Sequence, residues 1–249
     1  MIGIVGGIGP YAGIDLLKTI YDNTLAKKDQ DHLDTLLFSL PSKIMDRTEY
    51  LLGMIDENPG YSIAKIILDL EKSGATVIGI PCNTAHSSEI FAVVTEALYK
   101  QGSQIKVLHM INETVDFIKI KFPHFSRIGV LSTTGTYKHK IYSNVLKSNG
   151  FTVIQPTLQM QEEFVHPAIY HSDYGIKSNS NPFHPQAKEN LDHAMAYLKE
   201  KGAEAVILGC TEIPLVVTTE QVHGMMVINP TNVLARKLIQ HIDPAKLKP

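Results

Sequence analysis

Short runs of Val, Ile and Leu alternate along the chain with longer segments whose apolar residues recur at three- and four-residue steps. The apolar runs predict strands at Ile2–Val5, Thr35–Leu40, Thr76–Ile80, Lys106–His109, Arg127–Leu131, Thr152–Gln155, Ala205–Leu208 and Met226–Ile228. The stepped segments predict helices at Ile14–Leu25, Ser62–Lys72, Ser87–Lys100, Asn112–Lys121, Lys138–Lys147 and Gln186–Lys199. Strands without polar alternation suit a sheet buried on both faces. Their alternation with helices argues for an α/β fold with a largely parallel sheet.

One pattern occurs twice. The helical stretch "AKIILDLEKSGA" runs into "TVIGIPCNT", and "LDHAMAYLKEKGA" runs into "EAVILGCTE". Gly74 and Gly202 are placed to end their helices in a left-handed conformation. Each following strand then delivers a cysteine, Cys82 or Cys210, at its C-terminal end, where open α/β sheets bind ligands. Helix–glycine–strand units recur in many α/β proteins, so the weight rests on the matched cysteines. The repeat suggests two similar α/β domains, each a mostly parallel sheet flanked by helices, facing each other across a cleft. "YGIKSNSNPFHP", Tyr174 to Pro185, is loop-like and too short for a linker, which suits a functional loop at such a cleft.

Composition narrows the classes. The chain has 249 residues, 44% apolar and 19% charged, with a net charge of −2. That is ordinary for a globular protein and long enough to bury a sizeable core. Without a basic stretch, neither a nucleic-acid partner nor an anionic membrane is expected. The opening "MIGIVGGIGPYAG" reads as a first strand and turn, not a signal peptide. With two cysteines and no secretory context, a reduced, cytoplasmic protein is expected. The cysteines are then packing residues, metal ligands or reactive thiols.

The glycine-rich start, with Gly7, Gly9 and Ala12 after a strand, matches a dinucleotide fingerprint. The second strand, "TLLFSLPS", ends without the acidic residue that fingerprint requires, so NAD is not favoured. A turn at Gly9 presenting backbone N–H groups to a small anion fits better. Cys82 and His86 could share one helix face as metal ligands, but there is no Cys-x-x-Cys pair and no metal is expected.

A cysteine between a strand end and a helix start sits where backbone N–H groups favour the thiolate. Asn83-Thr84 and Thr211-Glu212 follow the two thiols and could cap the next segments. Two such thiols suit the inversion of an amino acid at Cα, with one acting as base and the other as acid. The carbanion would need donors around the substrate carboxylate, and Asn83, Thr84, Thr133 and Thr211 are the candidates.

"PCNTAH" and "GCTEIPL", with "GGIGP" at the start, resemble the aspartate/glutamate racemase family of cofactor-independent amino-acid racemases. The resemblance spans almost the whole chain. It implies two pseudo-symmetric α/β domains with the active site in the interdomain cleft, the first of residues 1–111 plus 227–249 and the second of 112–226, and a homodimer. It implies Cys82 and Cys210 as the two bases, no cofactor, and an amino-acid substrate held by Asn83, Thr84, Thr133 and Thr211. Thr133 lies in "VLSTTGT", which is similar to the family's strand-end turn. "DRTEYLLG" places Arg47 where aspartate racemases keep an arginine for a side-chain carboxylate; otherwise it is a surface residue. The family's lysine in the second domain falls near Phe164, so Lys177 or His166 is expected to supply that cation. The substitution opens the range to glutamate or other amino acids. Hydantoin racemases and maleate isomerases share the fold and remain alternatives, as does an idle binder of small carboxylates.

Overall fold

In the computed structural model, which describes residues 1–249, each of the eight apolar runs becomes a strand. The first part of the chain runs β1 (Ile2–Gly6), α1 (Pro10–Asn23), β2 (Thr35–Ser39), α2 (Arg47–Leu51), α3 (Gly60–Lys72), β3 (Val77–Gly79), α4 (Ser88–Lys100), β4 (Lys106–Val107) and α5 (Met110–Lys121). These strands form an all-parallel sheet in the order β2-β1-β3-β4. Its core gathers Ile2 and Ile4 of β1, Leu16 and Ile20 of α1, and Leu234 and Leu238 from the end of the chain, all fully buried. Each such side chain removed from water contributes about 1.5–3 kcal/mol.

The second part runs β5 (Arg127–Ser132), α6 (Thr134–Lys138), α7 (Ile141–Ser148), β6 (Thr152–Ile154), α8 (Leu158–Met160), a π-helical turn (Gln161–Val165) and α9 (His166–Tyr170). It continues through α10 (Pro185–Glu200), β7 (Ala205–Gly209), β8 (Gln221–Val222) and β9 (Met225–Ile228) to α11 (Pro230–Ile242). Its sheet order is β6-β5-β7-β9-β8, parallel except for the β8–β9 hairpin. Its core packs Val165 and Ala168 from either side of the π turn's end with Leu191, Met195, Val206 and Leu208. The chain divides into the units Met1–Glu113 with Thr231–Pro249, and Thr114–Pro230. The return crossover therefore follows β9, which pairs with β7 along its length, instead of falling inside that strand.

With the β8 edge set aside, the two sheets share one strand order. The strand preceding Cys82 and the strand preceding Cys210 hold the same place, beside the first strand of their unit. The Gly-Ala repeat is one local structure built twice. Gly74 and Gly202 have φ of +100° and +88°, and their N–H groups bond to Glu71 and Lys199. The next residues, Ala75 and Ala203, donate back to Leu70 and Leu198 at 3.0 Å. This is the helix-ending motif that needs a left-handed residue.

Three features escape the periodicity. The β8–β9 hairpin is too short to show a pattern, although His223 and Gly224, both at positive φ, make its turn. The expected helix Lys138–Lys147 is two helices, broken at Lys140 with φ of +54°. The segment from Leu158 to Tyr170 is helical throughout, but its ladder changes to π at Gln161–Val165, and Pro167 has no N–H to continue a regular one.

Candidate active site

In a parallel sheet with this strand order, the loops after the first strand and after the strand beside it that starts the other half of the winding splay apart and leave a crevice. Each unit places its cysteine there.

In the first unit, the loop after β1 turns sharply at Gly7, whose φ is +81° and whose added Cβ would lie 2.6 Å from the backbone N of Leu40. Gly9 is extended and heads α1, with Pro10 at the first helical position. Across from it, Pro81 ends the β3 run and Cys82 follows, 8% exposed. Asn83 leads into a tight turn at Thr84–His86, and both Asn83 and Thr84 are buried. His86 Nδ1 donates to the Cys82 carbonyl at 2.8 Å, which fixes the ring's tautomer because the carbonyl can only accept. The ring stacks on Phe91, with centroids 5.4 Å apart, and meets His109 edge-on at 4.8 Å. Burial, reinforced by His109, lowers the His86 pKa to about 3, so the ring is neutral.

Arg47 is 7% exposed and is not a surface residue. It opens α2, which Asp46 caps by accepting from the N–H groups of Thr48 and Glu49. Its Nη1 donates to the Met45 carbonyl at 3.0 Å and its Nη2 to the carbonyl of Ile8, inside the glycine-rich turn. The guanidinium thus holds the loop after β1.

In the second unit, Ser132 pairs with Gly209, so the next residues, Thr133 and Cys210, leave adjacent strands side by side. Thr133 caps α6: its Oγ1 accepts from the Thr136 N–H at 3.3 Å. Cys210 is 3% exposed, and its Sγ donates to Glu212 Oε2 at 3.0 Å. The Thr211 hydroxyl donates to the same oxygen at 3.4 Å, and Lys177 Nζ reaches Glu212 Oε1 at 2.8 Å. Lys177 also lies 5.5 Å from the Tyr170 ring centroid. Lys177 and Glu212, separate candidates in the sequence, are one ion pair next to the thiol. Burial pushes the Cys210 pKa well up and the Glu212 charge adds to this, while Lys177 opposes it.

Phe164, at the position of the family lysine, and the two residues weighed to replace that cation, His166 and Lys177, have different surroundings. Phe164 packs against His193 of α10, with ring centroids 4.5 Å apart. His166 engages the Thr134 hydroxyl through Nδ1 at 3.0 Å, and burial lowers its pKa, with Glu162 opposing and Lys138 adding. The lowered pKa and the bond to Thr134 both work against the role of cation expected of His166. Lys177 remains, brought to the thiol through Glu212. Sequence reasoning missed Gln161, which is fully buried and donates from Nε2 to the Ser132 carbonyl at 3.1 Å and to Thr134 Oγ1 at 3.3 Å. No apolar spacing marks it, because the π turn at Gln161–Val165 interrupts the four-residue step that would lead back to it from Val165.

Two α/β units of one strand order, each following an inner strand with a buried thiol and a buried threonine, define a two-domain α/β fold with a matched pair of thiol sites. The chain belongs to the Asp/Glu/hydantoin racemase family, whose model matches residues 5–238, and so to the isomerases of the amino-acid racemase type. It is 29% identical over 222 residues to a broad-specificity amino-acid racemase, RacX, of Bacillus subtilis, covering 86% of each chain. The aspartate racemase of Picrophilus torridus superposes with a TM-score of 0.78 at 28% identity, over 99% of this chain and 95% of its own. A Francisella tularensis glutamate racemase solved with D-glutamate shares the fold, with a TM-score of 0.67 at 20% identity over 98% and 81% of the two chains. No helix is long and apolar enough to cross a membrane.

Proposed function

We propose that this protein racemises amino acids without pyridoxal phosphate, using Cys82 and Cys210 as two bases, one acting on each face of Cα. The observation that carries the reading is the equivalent placement of the two thiols in the two strand orders, with an ion-paired carboxylate 3.0 Å from one of them. In one direction a thiolate removes the α-proton, and the C–H electron pair stays on the substrate, delocalised into its carboxylate. The other thiol gives its proton to the opposite face and becomes the thiolate. No electrons are exchanged with the protein, and the reverse direction swaps the roles.

The environment of Cys210 supports this. Its pKa is raised, so its resting form is the thiol, and it needs an acceptor to become a base. Glu212 already accepts from the sulfur, and Lys177 pairs with the other oxygen of that carboxylate. Asn83, Thr84, Thr133 and Thr211 are proposed as donors to the substrate carboxylate, with the α1 N-terminus at Gly9 as a further donor.

Aspartate and glutamate are the proposed substrates, with Arg47 taking the side-chain carboxylate. A wider substrate set is a second reading. It is favoured because two Arg47 donors are spent on main-chain carbonyls and because the Bacillus subtilis relative carries a broad-specificity name. A homodimer in a reducing cytoplasm completes the proposal, since both thiols must stay reduced. The test is incubation with single enantiomers in deuterated water without pyridoxal phosphate. Deuterium at Cα of the opposite enantiomer supports the mechanism. Binding without exchange would return the protein to the idle carboxylate-binder class.

A further inference from the structure

We propose that the π turn Gln161–Val165 exists to close a two-sided clamp on Thr134, making Gln161 and His166 positioning residues for the Thr133 turn beside Cys210. The effect on turnover rests on the racemase reading; the clamp itself does not.

The observations lie within the second unit. Gln161 Nε2 donates to the Ser132 carbonyl at 3.1 Å and to Thr134 Oγ1 at 3.3 Å, so one amide bridges the residues on either side of Thr133. His166 Nδ1 lies 3.0 Å from the same Thr134 hydroxyl. Gln161 and Thr134 are buried, and the His166 ring is braced by stacking on Tyr170, with centroids 5.0 Å apart.

Helical geometry explains the π turn. Residues five apart on an α-helix, at about 100° each, point about 140° away from one another. They could not both grip one hydroxyl. Here the His166 N–H bonds to the Gln161 carbonyl, the π pattern, which brings the two residues one full turn apart and onto one side. An extra residue in the ladder is thus the device that aims two side chains at one target.

The bonds also set a direction. Because Gln161 Nε2 donates into Thr134 Oγ1, the hydroxyl proton is available for His166 Nδ1. The relay runs from Gln161 through Thr134 to His166 and requires the neutral ring with its proton on Nε2. It fixes the rotamer of Thr134, and with it the N-cap turn of Thr133, whose strand leaves the sheet beside Cys210.

The test begins with imidazole ¹⁵N shifts of the intact protein at neutral pH. The neutral Nε2–H tautomer of His166 is expected, with its Nδ1 shift perturbed in Gln161→Met. Racemisation is then measured for Gln161→Met, for deletion of Glu163 to restore a plain α turn, and for His166→Leu and His166→Asn. The first three are expected to lose at least 10-fold in kcat/KM. His166→Asn, whose Oδ1 can accept from Thr134, is expected to keep half or more. An Nδ1–H tautomer in the intact protein overturns the clamp, as does a Gln161→Met enzyme within two-fold of the parent. If the parent exchanges no α-proton, the racemase reading falls, and the tautomer and its response to Gln161→Met decide the clamp alone.

Discussion

The Cys210 sulfur donates to Oε2 of Glu212 at 3.0 Å, and the other oxygen of that carboxylate holds Lys177 at 2.8 Å. The carboxylate therefore both raises the thiol's pKa and offers its proton a destination. These effects separate on substitution. Glu212→Gln removes the negative charge, so the Cys210 pKa should fall toward the ordinary thiol value although burial remains. Alkylation of Cys210 at fixed pH, measured in a Cys82→Ser background, should accelerate. Racemisation by Glu212→Gln alone should slow by about 10²-fold, the scale of a lost proton acceptor. Lys177→Met should shift the thiol the other way. Slower alkylation in Glu212→Gln would contradict the electrostatic assignment.

Two bases make two single-site variants informative. Cys82→Ala and Cys210→Ala should each lose about 10³-fold or more of interconversion. Both side chains are small and buried, so the loss of stability should be near 1 kcal/mol and the fold should survive. The remaining thiol can still wash deuterium into the one enantiomer whose α-proton it faces. The check is chiral separation with mass detection after incubation in deuterated water. Full racemisation in either variant ends the two-thiol assignment.

The central strands were legible because β1, β3 and β7 are buried throughout and read as apolar runs, such as Ala205–Gly209. The equivalence of Cys82 and Cys210 was legible because Gly74 and Gly202 mark one helix ending twice. The contacts of the site were not. Lys177 and Glu212 are far apart in sequence, and nothing in "YGIKS" or "GCTE" says that they meet. Arg47 could be read as a surface side chain because its partners, Met45 and Ile8, are main-chain carbonyls without a sequence signature. Gln161 was hidden by composition: "LQMQEEF" is polar enough to pass for a solvated segment, and a π turn leaves no mark on apolar spacing.

His86 ties acid sensitivity to the Cys82 turn. Its pKa falls from 6.5 to about 3 on folding, mainly through burial. Between those values the unfolded chain binds a proton that the folded chain does not. This contribution to stability is therefore complete above about pH 6.5 and is lost as pH falls toward 3, at about 1.4 kcal/mol per pH unit. Urea unfolding across that range should show a flatter pH dependence in His86→Asn than in the parent. The asparagine can keep a donor toward the Cys82 carbonyl, which separates the ring's titration from the turn's hydrogen bond. Parallel curves for the two proteins would show that His86 does not titrate on unfolding.

Gly7 and Gly74 both have positive φ, yet their substitutions should differ. At Gly74, with φ of +100°, an added Cβ meets nothing within 4 Å, so Gly74→Ala pays only the backbone strain of about 1–2 kcal/mol. At Gly7, with φ of +81°, the Cβ would lie 2.6 Å from Leu40 N and 2.7 Å from Pro41 N. These are backbone atoms and cannot swing aside, so the loop after β1 must move. That loop carries the Ile8 carbonyl bound by Arg47 and leads into α1 through Gly9. Gly7→Ala should therefore cost about 3 kcal/mol or more and reduce substrate affinity as well. Gly74→Ala should leave affinity unchanged. Thermal melts with and without amino-acid substrate compare both effects, and equal losses at the two glycines would refute the backbone-clash explanation.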